Sequence, residues 1–395
     1  MGFIFTIIGL MVSLDIIWWV VLARFANHGV ARALISIFMI AMMLGLIAVI
    51  TARISRADWD RFIPKFAVSA IFIWHFIGLG LLTLIGIVLI PILLGQKIIS
   101  HNAPAKAERA AEGNAWSRRD FLRFSMAMLP PAFTLSLTGI AMAQLNNVRV
   151  RRFVLPILGL PKDLDGMTIA QVSDMHVGRF TKGEVLQKTV RLVNEMHTDL
   201  VLLTGDLIND ALADLDTGLE LARAMEARFG LAIIEGNHDL IENPREFETR
   251  VKASGIPFLL DESTIVNVRE VPVQLLGLRW TRVYGEGRDA AIRAEVRRLL
   301  EQRSADAFPI LLAHHPHAFD AAADAELPLT LSGHTHGGQL MLNEQLGFGP
   351  ALFRYWSGLY VRGQSKLIVS NGVGNWFPLR VNAPAEIVHL TLRRE

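Results

Sequence analysis

Two histidines separated by one small residue, His334 and His336, close the run L-S-G-H-T-H-G-G-Q from Leu331 to Gln339. Folding alone has no use for two imidazoles on a Gly-flanked turn. At i and i+2 they can aim both rings at one point, which is what a metal ion demands. Four other strand-like apolar runs end in groups of the same kind. Met167 to Ser173 leads into Asp174 and His176, and Leu200 to Thr204 leads into Gly205 and Asp206. Leu231 to Glu235 leads into Gly236, Asn237, His238 and Asp239; Phe308 to Ala313 leads into His314, His315 and His317. The fifth run, Leu329 to Ser332, opens onto His334 and His336. Ligands of open α/β sheets sit beyond the carboxyl ends of the strands, so five such clusters predict one shared site. A single Asp after a strand is as often a turn or cap residue. Caps, however, are Ser, Thr and Asp, whereas seven of the twelve histidines fall in these clusters. Of the three imidazoles around Pro316, one ligand is enough.

In this order, D-M-H, G-D-L-I-N, G-N-H-D, A-H-H-P and G-H-T-H-G-G-Q resemble the signature of the calcineurin-like metallophosphoesterases. The ending S-N-G-V-G-N-W-F-P-L-R-V-N-A-P-A-E-I is similar to the membrane-associated branch of that family. The resemblance implies an α/β fold, a two-sheet αββα sandwich with a two-metal centre at one edge. It also implies that Asp174, His176, Asp206 and His336 hold one divalent metal ion, and Asp206, Asn237, His314 and His334 the other. Asp206 would bridge. A carboxylate shared by two cations brings them to about 3.5–4 Å and readies a water between them as nucleophile. His238 resembles the family's non-ligand histidine, which steadies charge on phosphorus and protonates the leaving oxygen. Asp239 would then be its orienting partner in catalysis, or a cap for the helix that follows. The pattern departs at position 209, where Asn209 replaces the acid of G-D-x-x-D and Asp210 follows. Oxygen and imidazole donors without thiolate suit manganese, iron or zinc. The absence of cysteine removes disulfides and thiolate ligands and leaves the compartment open.

With 52% hydrophobic residues and a mean hydropathy of +0.37, the chain is too apolar for a soluble two-domain protein. The excess lies before residue 144. Phe3 to Ala23, Ala33 to Ala52 and Phe66 to Gly95 are each long enough to cross about 30 Å of hydrocarbon, so residues 1–96 are predicted as three transmembrane helices. A fourth apolar segment, Phe124 to Ala143 within 121–144, carries Pro130 and Pro131 and reads as a span, an export-signal-like segment or an interfacial one. Residues 97–120 read as a polar linker ending in a twin arginine. There Ser117 to Arg123, S-R-R-D-F-L-R, resembles a twin-arginine export motif, which makes the twin-arginine translocase an expected partner; arginine pairs are also ordinary cytoplasmic flanks. Residues 145–395 would be the phosphoesterase domain.

Placing Arg118 and Arg119 inside gives the first and third loops eight Lys or Arg against four in the second. That bias puts the catalytic domain on the periplasmic side of a bacterial-type inner membrane, although Arg149, Arg151 and Arg152 argue the other way. Asp15 and His75 fall inside spans, as functional groups or as a paired contact that helps helices associate. Thr181 to His197, Ala211 to Phe229 and Asp289 to Arg303 have helical periodicity, as an α/β layered domain requires. Leu340 to Gly363, with Phe353, Tyr355, Trp356 and Tyr360, is core and loop, or an apolar wall for a lipid tail. A net charge of +2 without a basic aromatic stripe gives no reason to expect nucleic acid. The expectation is a membrane-anchored phosphohydrolase cleaving a phosphoester or pyrophosphate bond of an envelope or lipid-linked substrate, with membrane lipids as neighbours. The competing class is a non-catalytic receptor or scaffold, against which Asp206, Asn237 and His238 stand.

Overall fold

The computed structural model describes residues 2–26, 29–55, 63–100, 117–343 and 345–395. The chain divides into two compact units, Met1–Ile140 and Ala141–Glu395.

The first unit is helical: α1 (Gly2–Phe25), α2 (Gly29–Ser55), α3 (Lys65–Ile73), α4 (Leu79–Ser100) and most of α5 (Arg118–Gln144). Among the described residues, Thr6–Phe25, Gly29–Ala52, Lys65–Leu89 and Arg118–Gln144 are long and apolar enough to cross a membrane. The third stretch carries a π-turn at Trp74–Gly78. The wide turn falls where two consecutive residues reach the same carboxylate. Trp74 Nε1 donates to Asp15 Oδ1 at 2.7 Å and His75 Nε2 lies 3.0 Å from Asp15 Oδ2, while His75 Nδ1 lies 2.7 Å from the Ile71 carbonyl. A carbonyl only accepts, so Nδ1 carries a proton. His75 Nε2 is left facing the Asp15 carboxylate. The paired reading of these two residues is the one the structure adopts. The polar linker expected over 97–120 falls outside the described residues at 101–116. At its end, Ser117 Oγ accepts from the Asp120 amide at 3.1 Å and donates to the Asp120 carboxylate, a capping pair that makes Arg118 and Arg119 the first turn of α5.

Among the described residues, the second unit holds thirteen strands: β1 (Arg149–Ile157), β2 (Thr168–Val172), β3 (Leu200–Thr204), β4 (Gly230–Ile234), β5 (Glu262–Val268), β6 (Val271–Gly277), β7 (Phe308–Leu312), β8 (Leu329–Ser332), β9 (Met341–Asn343), β10 (Leu346–Gly347), β11 (Gly358–Arg362), β12 (Ser365–Val369) and β13 (Glu386–Arg394). One sheet runs β1-β13-β2-β3-β4, the other β11-β12-β8-β7-β6-β5, and β9 pairs with β10 alone. Both large sheets are mixed. In the first, β13 runs parallel to β1 and antiparallel to β2, and β2, β3 and β4 are parallel.

Side-chain alternation assembles the layers. Leu200 and Leu202 of β3 join Ile169, Ile234, Ile310, Leu312, Leu329 and Leu331 in one core shared by both sheets. Val201 and Leu203 point the opposite way, into a core with α6 (Glu184–Glu195), α7 (Leu215–Arg223) and α8 (Pro244–Ala253). Behind the second sheet, Leu276 and Leu311 pack on α9 (Arg288–Leu300) and α10 (Ala318–Asp324). The result is the αββα sandwich expected. Strands buried on both faces read as continuous apolar runs, which is why β2, β3, β7 and β8 were legible. The three helices expected from periodicity correspond to α6, α7 and α9.

Candidate metal centre

The carboxyl ends of β2, β3 and β4 meet those of β7 and β8 at one edge of the sandwich. Backbone bonds zip the exits together: Asp174 N to Gly205 O and His176 N to Asp206 O, both 3.0 Å. Gln171 bridges the sheets, its buried amide donating to Thr204 Oγ at 3.1 Å and to Ser332 O at 2.9 Å. His334 N donates to both Asp174 oxygens, at 3.0 and 3.2 Å. These turns are strained. Asp174, His176, Asp206, His334 and His336 all have positive φ, between 43° and 74°, a region that costs an L-residue roughly 1–2 kcal/mol. Strain held at five neighbouring polar residues marks a functional site. Gly236 is required by proximity, since a Cβ there would collide with the Asp206 carboxylate.

The side chains converge as two connected clusters. Asp174, His176 and His336 form one, Asp206, His314 and His334 the other, and His176 also groups with Asp206 and His238. His176 Nε2 lies 3.0 Å from His336 Nε2, and His336 Nε2 lies 3.3 Å from Asp174 Oδ1. Asp206 Oδ2 stands between the clusters, 3.1 Å from His314 Nε2 and 3.5 Å from His176 Nε2. Metal ions fit this set. The amide oxygen of Asn237 is buried without a hydrogen-bond partner. Buried polar atoms left so are rare unless an ion or ligand completes them.

Electrostatics agree. Burial holds His176, His334 and His336 well below the usual histidine range, and neighbouring imidazoles add to the effect, so all three are neutral, the form that ligates. Burial pushes the Asp174 carboxyl up to about 6, with the Asp206 charge adding and His314 opposing. Burial would also raise Asp206, but His314 and His238 outweigh it and hold this carboxyl well below its usual range. His314 is the counterpart: burial disfavours its charge, the Asp206 carboxylate overrides that, and its pKa rises to about 9. A proton on His314 therefore balances Asp206 where a cation would.

His238 is half-buried, with its ring edge-on to His176 at 4.5 Å between centroids and Trp376 at 5.9 Å. Its Nδ1 lies 2.6 Å from the Asn209 carbonyl, so this nitrogen carries the proton and Nε2 is left for the site. The expectation for Asp239 is corrected here. Its carboxylate does not orient the His238 ring; it accepts from the backbone amides of Asp206, Ile208 and Gly236 at 2.8–3.0 Å, and so braces the turn carrying Asp206. Geometry explains this, because Asn237 to Asp239 enter a 3-10 turn that sends successive side chains in different directions. The Asn209 departure is harmless to the ring, since the contribution comes from its backbone. Of the residues around Pro316, His314 joins the cluster, while His315 stacks on Trp280 and His317 Nδ1 lies 2.8 Å from Asp289.

Two buried residues went unassigned by sequence. Trp280 packs against His314, His315 and His334, at 4.9–5.5 Å between centroids. Arg380, fully buried, donates to Asn375 Oδ1, to the carbonyls of Asn371, Gly372, Gly374 and Ala383, and to His336 Nδ1 at 3.2 Å. It thereby clamps the loop after β12 against the His336 turn. The signal was an Arg inside the Gly- and Asn-rich string quoted above.

Glu235, buried just before Gly236, carries a pH prediction. Burial, reinforced by Glu248 and opposed by Arg279, pushes its carboxyl up to about 7 from 4.5. The folded chain then holds a proton that the unfolded chain releases near 4.5, so the contribution to stability is complete below pH 4.5 and is lost as pH rises through 7. Glu235→Gln keeps an acceptor for the Trp280 amide, 3.2 Å away. The variant should match the parent near pH 4.5 and exceed it above pH 7 by at most on the order of 3 kcal/mol. Unfolding midpoints across that range test this; parallel curves for the two proteins would refute it.

Comparison with known proteins agrees with this class of site, a mixed oxygen and imidazole metal centre on a two-sheet sandwich. Residues 167–338 match the family model described as calcineurin-like phosphoesterase. That match takes in all five strand-end clusters, from Asp174 to His336. The chain is similar to a Danio rerio transmembrane protein with metallophosphoesterase domain, 31% identical over 61% of this chain and 56% of that one. It also resembles the uncharacterized metallophosphoesterase YkuE of Bacillus subtilis, 29% identical over 59% and 82% of the two chains. The phosphodiesterase YaeI of Escherichia coli is 28% identical over 56% of this chain and 80% of its own. The match thus spans little more than half of the Danio rerio relative.

Proposed function

We propose that this chain is a membrane-anchored phosphohydrolase with a binuclear metal centre, acting on a phosphoester or pyrophosphate bond of an envelope or lipid-linked substrate. The observation that carries the reading is Asp206 standing between two imidazole and carboxylate clusters, with His238 beside them and the buried Asn237 oxygen left open. Asp174, His176, Asp206 and His336 would hold one cation, and Asp206, Asn237, His314 and His334 the other. Manganese, iron or zinc so bound would polarise the phosphoryl oxygens and acidify a water. The chain's own residues do the rest. Asp239 and Gly236 fix Asp206, Arg380 fixes His336, and His238, tied at Nδ1 to Asn209, presents Nε2, which in the imidazolium form carries the second proton and gives it to the leaving oxygen. The name of the Escherichia coli relative favours a diester among the phosphoesters. Purified full-length chain supplied with each metal should turn over a nitrophenyl phosphodiester, a monoester or a lipid pyrophosphate. Metal uptake without hydrolysis of any of them would favour the scaffold reading.

We place the catalytic unit outside the cytoplasm of a bacterial-type inner membrane, with Arg118 and Arg119 inside and the twin-arginine translocase as carrier. A reporter active only after export, fused after Glu395, should then score positive. Replacing both arginines by Lys keeps their charge but loses the guanidinium fork, and should silence the reporter if the translocase reads them. A reporter silent in the parent chain would overturn this orientation.

A further inference from the structure

A cavity of about 940 Å³ in the second unit lies apart from the metal-facing side chains. Its lining brings together Gln144, Arg149, Arg151, Trp356, Tyr360 and Asn371. Gln144 is the last residue of α5, so the cavity begins where a stretch of membrane-crossing length ends. Gln144 Oε1 accepts from Asn382 N at 2.7 Å, and the Asn382 amide donates to the carbonyls of Met341 and Leu342. That ties the β9–β10 hairpin to the helix end. The hairpin and the short helix α11 (Phe348–Leu352) bare Leu342 (75% exposed), Leu346, Phe348 and Leu352 (68%). Apolar side chains so exposed suit a lipid surface.

The charge in the cavity is unbalanced. Arg149 and Arg151 share one fully buried carboxylate, Glu386, at 3.0 and 3.5 Å, which leaves one positive charge over. Arg151 is also set in advance, held by Ser357 Oγ at 3.0 Å and lying over the Phe153 ring at 4.9 Å. Gly358, at φ +79°, makes that seat possible, since a Cβ there would lie 2.7 Å from Arg151 Nη2. Asn371, 3% exposed, also lines the cavity. A preset guanidinium suits a phosphate.

We propose that this cavity seats the head group of an anionic membrane phospholipid. The phosphate lies on Arg149 and Arg151, and the acyl chains run along the exposed leucines. Gly337 also lines the cavity, so the bound lipid rests against the turn that carries His336. This is a binding site beyond the hydrolytic reading, and its test needs no turnover. Full-length chain in nanodiscs of phosphatidylcholine doped with phosphatidylglycerol, released into a mass spectrometer, should retain phosphatidylglycerol by at least about tenfold over its share of the bilayer. Asn147→Glu with Gln345→Glu, two exposed lining positions, should lower that retention about tenfold at an unchanged unfolding midpoint. Arg149→Gln with Arg151→Gln should do the same; should it unfold because Glu386 is bared, the acidic variant still decides. Equal retention of the two lipids, undiminished retention in the acidic variant, or displacement of the lipid by millimolar inorganic phosphate would each overturn the proposal.

Discussion

Asp206→Asn should reduce phosphoester hydrolysis by about 10³-fold or more, because several kcal/mol of charge stabilisation depend on cations that this carboxylate helps to hold. The substitution preserves shape. Asp206 Oδ1 accepts from the His238 amide at 2.8 Å, and an Asn oxygen can do the same; the Asp206 amide still donates to Asp239. What disappears is the charge at Oδ2, which lies within 3.5 Å of both His314 and His176. The variant should therefore fold, bind less metal, and stay inactive when metal is restored to saturation. His314 supplies an independent check. Its high pKa rests on the Asp206 charge, so without metal its imidazole should titrate well below 9 in the variant, as read by histidine nuclear magnetic resonance. Near-normal turnover of the variant at saturating metal would sink the two-metal reading.

The same residues show what a sequence discloses and what it withholds. The five strands that end at the candidate site were legible because each is a short apolar run closed by residues that neither cap nor pack. The turn between β5 and β6 was not. Its two central residues, Arg269 and Glu270, adopt φ of 51° and 67°, a conformation that hairpins usually reserve for Asn or Gly. The edge formed by β1 and β13 is also silent in sequence, since parallel neighbours 237 residues apart leave no local pattern. Within the site, candidate ligands were suggested by residue type and by the family resemblance, but supporting roles were not. Asp239 sits where an orienting acid would be expected and instead binds three backbone amides. The Asn209 contribution is a carbonyl, which any residue would offer. Arg380 lies 44 residues from His336, and only folding reveals that contact.

Membrane positions followed the same division. Length and hydropathy were enough to find the four stretches, whereas the pairing of Asp15 with His75 across 60 residues required the structure. Hydropathy reports how much of a helix is apolar, not which polar residues meet. Their mutual contact, with Trp74 on the same carboxylate, gives each ionisable group a polar partner in helices otherwise suited to hydrocarbon.

His238→Ala should lower the hydrolytic rate by roughly 10²–10⁴ and leave the metal content of the chain unchanged. The structure makes this a sharp test, because the His238 ring is grouped with His176 and Asp206 closely enough to be mistaken for a ligand. Two features favour the proton-donor role. Nδ1 is committed to the Asn209 carbonyl, which sets the ring and leaves Nε2 as the working atom. The backbone amide of residue 238, not its ring, is what holds Asp206 Oδ1, so Ala keeps the bridging carboxylate in place. A general acid matters most when the leaving oxygen is basic. The variant should therefore lose far more rate on an alkyl phosphoester than on a nitrophenyl one, whose leaving group departs without help. Metal loss on removal of the ring would reassign His238 as a ligand, and an equal loss on both substrates would remove it from proton transfer.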